Sequence, residues 1–256
     1  AMGLDECRVA LSGAAPLSTD IISWFNKMDL EILEVYGMTE NFGWSHTTEQ
    51  GDQQIGWVGT PNDGVECRIG EAGEVEVRSV ANMSGYYKQA DLTAEVLTED
   101  GWLKTGDVGE IDGRGRLRIT GRIKEIFKTE KGKYVAPAPI ENRLASQPGV
   151  ELACVIGANM AQPIALLNLT PEEQEKLSKG TEKEHFTQSL NALLEKVNSQ
   201  IDAHERLNAL VVCKTPWTVE NGLITPTLKL KRNEIEKYYE ADLPTWAASR
   251  GVIWEQ

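Results

Sequence analysis

Thr39 and Glu40 stand side by side just after a strand-like run, Glu31-Ile-Leu-Glu-Val-Tyr36, that breaks at Gly37. A hydroxyl can bond a phosphate oxygen, and a carboxylate is the hard donor preferred by a magnesium ion on that phosphate. The same pair also suits an ordinary turn with a helix cap. Three further stretches offer complementary groups. Gly101-Trp-Leu-Lys-Thr-Gly-Asp107 ends on an acceptor-only carboxylate that could take both hydroxyls of a ribose, or equally the backbone N–H groups of its own loop. Gly121-Arg-Ile-Lys-Glu-Ile-Phe-Lys-Thr-Glu-Lys-Gly132 carries Arg122, a planar fork of donors suited to ribose or phosphate oxygens. Its basic residues could equally form a solvated edge. Thr225-Pro-Thr-Leu-Lys-Leu-Lys-Arg232 places three cations in four residues, which alone reads as a solvated loop or a helix start.

These groups need elements to hold them. Residues 6–13 (ECRVALSG) read as a buried strand feeding a small-residue turn, Gly13-Ala-Ala-Pro16. Ser18 or Thr19 then caps a helix reaching Met28, with Ile21, Ile22, Phe25 and Met28 on one face. With the strand ending at Tyr36 this makes part of a parallel α/β sheet. Between 55 and 122, Val65, Cys67 and Ile69, then Val75 and Val77, then Leu117 and Ile119 alternate with polar residues. Gly-rich turns separate them, including Asp112-Gly-Arg-Gly115, as in a small antiparallel sheet or barrel.

A third region begins near Gly121, with strands at 152–156 and 210–213. Capping boxes at Thr170-Pro-Glu-Glu173 and Thr181-Glu-Lys-Glu184 open two helices. The second carries Phe186, Leu190, Leu193, Leu194, Val197 and Ile201 on a stripe that reads as core. The expected fold class is thus mixed α/β and α+β. Residues 1–54 form a partial α/β unit, 55–122 a small antiparallel β subdomain, and 123–256 a small α+β C-terminal domain.

Composition narrows the function classes. A net charge of −13 over 256 residues argues against a nucleic-acid or anionic-membrane surface, both of which need clustered cations. Cys7, Cys67, Cys154 and Cys213 are scattered and read as reduced thiols of a cytoplasmic protein. His46, His185 and His204 are equally isolated, which argues against a catalytic triad or metal cluster. No apolar run approaches a membrane-spanning length. Ala1-Met2 reads as a cloning remnant at the start of a piece of something longer.

Order and spacing carry more than any stretch alone. Ser12-Gly-Ala-Ala-Pro-Leu17, then YGMTE, GWLKTGD, ITGRIKE and a late lysine in TPTLKLKRNE resemble, in sequence order, the adenylate-forming (AMP-binding) enzymes. The form of the last motif is most similar to that of long-chain fatty acyl-CoA synthetases, as is Val197-Asn-Ser-Gln-Ile-Asp-Ala-His-Glu205 before it. The resemblance implies that the Gly13-Ala14-Ala15 turn lies flat against adenine, that Tyr36 helps sandwich the base from the other side, and that Gly37 and Met38 are nucleotide-binding positions. It implies that Thr39 bonds a phosphate oxygen and Glu40 reaches Mg²⁺ on ATP. Asp107 would take the ribose hydroxyls with Arg122 beside it, and Lys229 would bond the α-phosphate region and the carboxylate as acyl-AMP forms. Lys231 is the second candidate, because the family's glycine before the lysine is Leu228 here.

The implied reaction joins a fatty acid to coenzyme A. Carboxylate attack on ATP gives acyl-AMP and pyrophosphate, and the thiol then displaces AMP. The resemblance further implies a C-terminal domain that swings about Lys124, presenting first Lys229 and then the loop from Lys128 to Gly132 beside the coenzyme A channel. The family's Gly/Ser/Thr-rich phosphate loop, which precedes YGMTE, has no match here. The chain is therefore expected to be the C-terminal portion of such an enzyme, nearly inactive by itself. Self-association through an exposed N-terminal face is expected, and the full-length protein could sit peripherally at a membrane. The alternatives are a ligase for another carboxylic acid and a non-catalytic nucleotide-binding or scaffold relative.

Overall fold

The computed structural model describes residues 3–180 and 182–256. Ala1, Met2 and Thr181 lie outside the described residues, and with them the terminal dipeptide and the cap expected at Thr181. The chain forms two compact units, Ala1–Lys124 and Glu125–Gln256.

In the first unit, β1 (Ala10–Ser12), α1 (Thr19–Asn26) and β2 (Ile32–Tyr36) form the expected strand–helix–strand, with β1 and β2 parallel. β3 (His46–Thr47) and β4 (Thr60–Pro61) extend this sheet antiparallel, in the order β1-β2-β3-β4. The strand expected over 6–13 is shorter and exposed. β1 lies at the sheet edge with β2 as its hydrogen-bonded neighbour, and Val9 and Leu11 are 58% and 59% exposed. Ser18 caps α1 by accepting from the Asp20 N–H at 3.3 Å. The chain leaves the helix before Met28 and turns through Asp29, whose φ is +57°. Of the expected apolar face Ile22 is fully buried, whereas Ile21 and Met28 are exposed.

The alternating region folds as β5 (Glu66–Ile69), β6 (Glu74–Arg78), α2 (Ala90–Val96), β7 (Leu103–Ile111) and β8 (Leu117–Arg122). The four strands form one antiparallel sheet in sequence order. Val75, Val77, Leu103 and Leu117 make its buried centre, against which Tyr36 and Met38 pack. Glu76, between the two valines, is also buried and is held by Arg68 at 2.6 Å, so its charge is paired.

The second unit opens with a hairpin of β9 (Phe127–Lys128) and β10 (Tyr134–Val135). It continues through α3 (Pro137–Leu144), β11 (Val150–Ile156), β12 (Ile164–Leu169), α4 (Pro171–Ser178) and α5 (Lys183–Asn198). β13 (Ala209–Val212), α6 (Arg232–Tyr238), α7 (Leu243–Ala248) and β14 (Gly251–Trp254) complete it. The sheet order is β11-β12-β13-β14, antiparallel in the first pair and parallel in the others.

Both faces of this sheet are covered, so β12 is apolar almost throughout. Ala165, Leu167 and Leu169 pack with Ile140, Leu144 and the stripe of α5 (Phe186, Leu190, Leu193, Leu194, Val197). Ile164 and Leu166 pack oppositely, with Ile235, Tyr239 and Trp246 of the later helices and their connection. Each fully buried leucine or isoleucine stabilises the unit by about 1.5–3 kcal/mol relative to exposure. Buried Asn168 is satisfied by the Thr215 carbonyl and the Trp217 N–H. Thr170 caps α4, accepting from the Glu173 N–H at 3.3 Å.

Candidate functional site

Asp107 sits on β7 directly opposite Arg122 on β8, where the antiparallel register pairs the two residues. Its side chain is 10% exposed, and Oδ1 meets Arg122 Nε at 2.8 Å. Oδ2 accepts from the Tyr36 hydroxyl at 2.7 Å, so the end of β2 reaches the second sheet through this carboxylate. The Asp107 N–H donates to Thr105 Oγ1 at 3.1 Å, and that hydroxyl donates to the Val75 carbonyl at 2.7 Å. Burial, and then the negative charge of Asp107, drive the Tyr36 phenol well above its ordinary range. Tyr36 therefore remains a donor, and the Asp107 carboxylate is oriented by Tyr36 on one oxygen and by the half-exposed Arg122 guanidinium on the other.

The stretch after Tyr36 is a closed loop. The Gly43 N–H donates to the Met38 carbonyl at 2.8 Å, and the Met38 N–H to Asn41 Oδ1 at 2.8 Å. A side chain at Gly37 would run into the Gly43 backbone, which accounts for glycine at 37. Thr39 opens a single 3₁₀ turn, Thr39–Asn41, and its side chain is exposed. Glu40 is half-buried. Its Oε1 accepts from the Tyr86 hydroxyl at 2.7 Å, a bond that pushes Tyr86 up to about 12. The modest reading of this stretch as a turn thus holds locally, with Thr39 exposed and Glu40 half-buried.

No group of three or more His, Cys, Asp or Glu side chains gathers into a metal cage among the described residues. Magnesium needs no such cage. It keeps several waters and is commonly bound through one or two carboxylates plus substrate phosphates, so Glu40 fits that pattern. Gly13, Ala14 and Ala15 follow β1 as an exposed turn, with Ala14 at φ +67°. A side chain at Gly13 would strike Val35 on β2, so packing already requires glycine there.

In the second unit, residues 224–230 form a tight hairpin. Ile224 bridges Leu230, the Thr225 N–H donates to the Lys229 carbonyl at 2.8 Å, and the Leu228 N–H to the Thr225 carbonyl at 2.8 Å. Leu228 adopts φ +59°, the left-handed conformation that glycine fills most easily. Lys229 and Lys231 are both exposed; Lys229 belongs to the hairpin, whereas Lys231 occupies the N-cap position of α6 without a side-chain capping bond. The loop from Lys128 to Gly132 closes through the Gly132 N–H to the Thr129 carbonyl at 2.9 Å, with Lys128 exposed and Gly132 at φ +76°. Lys124 is the last residue of the first unit.

The structure thus joins Tyr36, Asp107 and Arg122 into one cluster, and ties Glu40 to a residue that sequence reasoning missed, Tyr86. Even spacing about the Asp112–Gly115 turn would set Asp107 opposite Gly121; the register shift between Val108 and Gly109 sets it opposite Arg122 instead. Arg232, grouped in the sequence with a solvated cationic run, is instead nearly buried on Glu141. His46 is buried with Nδ1 2.9 Å from Ser45 Oγ and its ring beside Tyr36, and burial lowers its pKa to about 4.

Comparison with known proteins places these features in context. Residues 2–87 match the family model described as AMP-binding enzyme, and residues 125–246 match that of the AMP-binding enzyme C-terminal domain. The chain is 34% identical over 252 residues to the long-chain-fatty-acid–CoA ligase FadD15 of Mycobacterium bovis, covering 93% of this chain and 42% of that protein. It is 32% identical over 269 residues to mouse long-chain-fatty-acid–CoA ligase 5, covering 93% of this chain and 38% of that protein. The chain therefore spans about two-fifths of the length of these relatives. Among solved structures, the adenylation domain of a Mycobacterium chelonae carboxylate reductase superposes with a TM-score of 0.78. The match is at 26% identity and covers 94% of this chain and 38% of that one.

Proposed function

Because the chain belongs to the AMP-binding enzyme family, we propose that it supplies the ribose- and phosphate-facing strand ends and the lysine-bearing C-terminal domain of a long-chain fatty-acid–CoA ligase. The observation that carries this reading is the Asp107 carboxylate, held on one oxygen by Tyr36 and on the other by Arg122. A carboxylate fixed in this way accepts from two vicinal hydroxyls without paying to become ordered, which suits the ribose of ATP.

Around it the roles follow. The Gly13-Ala14-Ala15 turn and Tyr36 flank adenine, and Gly37 and Met38 shape the loop that carries Thr39 and Glu40. Thr39, which is exposed, bonds a phosphate oxygen through its hydroxyl. Glu40 would hold magnesium, which when bound neutralises phosphate charge. Lys229 stabilises negative charge as the fatty carboxylate attacks the α-phosphorus and pyrophosphate leaves. The left-handed Leu228, standing where the family has glycine, supports Lys229 over Lys231 as this lysine. The boundary between the compact units, after Lys124, supports a hinge there, and the closed loop from Lys128 to Gly132 is suited to serve the second step with coenzyme A.

Names of relatives on both sides of the bacterial–mammalian divide favour long-chain acids. The likeness to a carboxylate reductase adenylation domain favours keeping the adenylation step while changing the acid as the second reading. No helix among the described residues is long and apolar enough to cross a membrane. The free, scattered cysteines support a cytoplasmic location, with peripheral membrane attachment of the full-length protein compatible with it, and exposed Val9, Leu11 and Trp24 support self-association.

The test is palmitate-dependent ATP–pyrophosphate exchange by the whole protein. It should be lost in Lys229→Ala and sharply reduced in Asp107→Ala. Exchange untouched by both changes would overturn the assignment.

A further inference from the structure

Arg232 follows the Lys229 hairpin directly and opens α6. Its Nη1 donates to Glu141 Oε1 at 2.7 Å and to the Val155 carbonyl at 2.8 Å, and its Nη2 donates to Glu141 Oε2 at 3.1 Å. Glu141 Oε1 also accepts from the Val155 N–H at 2.7 Å. Both partners are nearly buried, at 11% and 12% exposure. The fork also touches Cys154 Sγ at 3.3 Å and lies 3.7 Å from Glu125 Oε2. One two-pronged contact therefore joins α3, the end of β11 and the first turn of α6.

A bidentate arginine–carboxylate pair fixes orientation as well as distance, which lysine cannot reproduce. At the other end of the hairpin, Leu223 and Ile224 are buried in the core beside Ile235, and the Lys231 N–H donates to the Leu223 carbonyl at 3.0 Å. Both stems of the hairpin are thereby fixed, one by apolar packing and one by Arg232. Among the described residues the tip is held by bonds within the hairpin: the two backbone bonds of Thr225, the Lys229 N–H to Thr225 Oγ1 at 3.0 Å, and the Thr225 and Thr227 hydroxyls 3.0 Å apart.

We propose that Arg232 and Glu141 are positioning residues: their buried fork holds the stem of the 224–230 hairpin so that Lys229 is presented in one orientation. The pair touches no substrate. It acts through the backbone of the hairpin, and its catalytic significance rests on the adenylation role proposed for Lys229.

Hydrogen exchange and half-reaction kinetics test this on the full chain and on the whole protein respectively. In Arg232→Lys and Glu141→Gln, the amides of Leu228, Lys229 and Lys231 should exchange about tenfold faster, with β12 protection unchanged. Adenylation of palmitate should fall about tenfold in kcat with KM for ATP within about twofold, while thioester formation from supplied palmitoyl-adenylate keeps its rate. Hairpin protection unchanged in both variants overturns the clamp. So does equal loss of both half-reactions, or protection lost throughout the second unit, which marks a purely structural pair. If the unaltered protein adenylates nothing, the proposed function fails, and the exchange arm still decides the clamp.

Discussion

Tyr36 and Asp107, 71 residues apart in the chain, share a hydrogen bond of 2.7 Å that fastens the end of the parallel strand pair to the antiparallel sheet. Tyr36→Phe removes the donor and keeps the ring in its packing. Hydrogen bonds to charged groups contribute about 1.5–3 kcal/mol, and the variant should lose stability in that range, measured by urea unfolding. A variant as stable as the parent would show the bond to be idle.

Asp107→Asn retains the shape and removes the charge. It gives up the ion pair with Arg122 and presents an amide N–H₂ where a ribose hydroxyl would donate. AMP affinity by calorimetry should fall about tenfold, equivalent to about 1.4 kcal/mol. Equal affinity in the two proteins would remove Asp107 from the ribose site.

His46 sets a pH dependence. Burial lowers its pKa from 6.5 to about 4, so between those values the unfolded chain binds the proton and the folded one does not. Stability is then complete above the unfolded value and declines as pH falls from about 6.5 towards 4, by at most about 3 kcal/mol at 1.36 kcal/mol per unit. Urea midpoints at pH 7 and pH 4.5 should differ more for the parent than for His46→Gln. Equal differences would assign the acid sensitivity to other groups.

The Lys229 hairpin separates catalysis from folding. Lys229 is exposed, and the hairpin hydrogen bonds it makes run through its backbone, so Lys229→Ala should keep the melting temperature while abolishing adenylation. Leu228→Gly should be tolerated, because glycine meets no steric penalty at φ +59°. Leu228→Val, branched at Cβ, should lower both stability and adenylation. Indifference to valine would show that the loop reforms elsewhere.

What the sequence disclosed was the order of chemical groups and the period of their elements. Alternation at Val75 and Val77, the α5 stripe and the Thr170 cap are local patterns, and local patterns survive translation into structure. The meeting of Tyr36 with Asp107 and of Tyr86 with Glu40 depends on how two sheets and a loop pack, over separations of 71 and 46 residues. No residue-level preference encodes that. Arg232 misled for a related reason: a run of cations looks solvated until a buried carboxylate from a distant helix, Glu141, faces it. Residues 6–9 misled in the opposite direction, since an apolar strand pattern says nothing of whether a second layer covers it.

The hairpin that carries Lys229 has a thermodynamic corollary. A lysine on a floppy tail would give up backbone freedom each time it met its ligand, about 1–2 kcal/mol for every residue immobilised. Here the bonds among Thr225, Thr227, Leu228 and Lys229 remove that freedom when the domain folds. Only the rotamers of one side chain are left to settle on encounter.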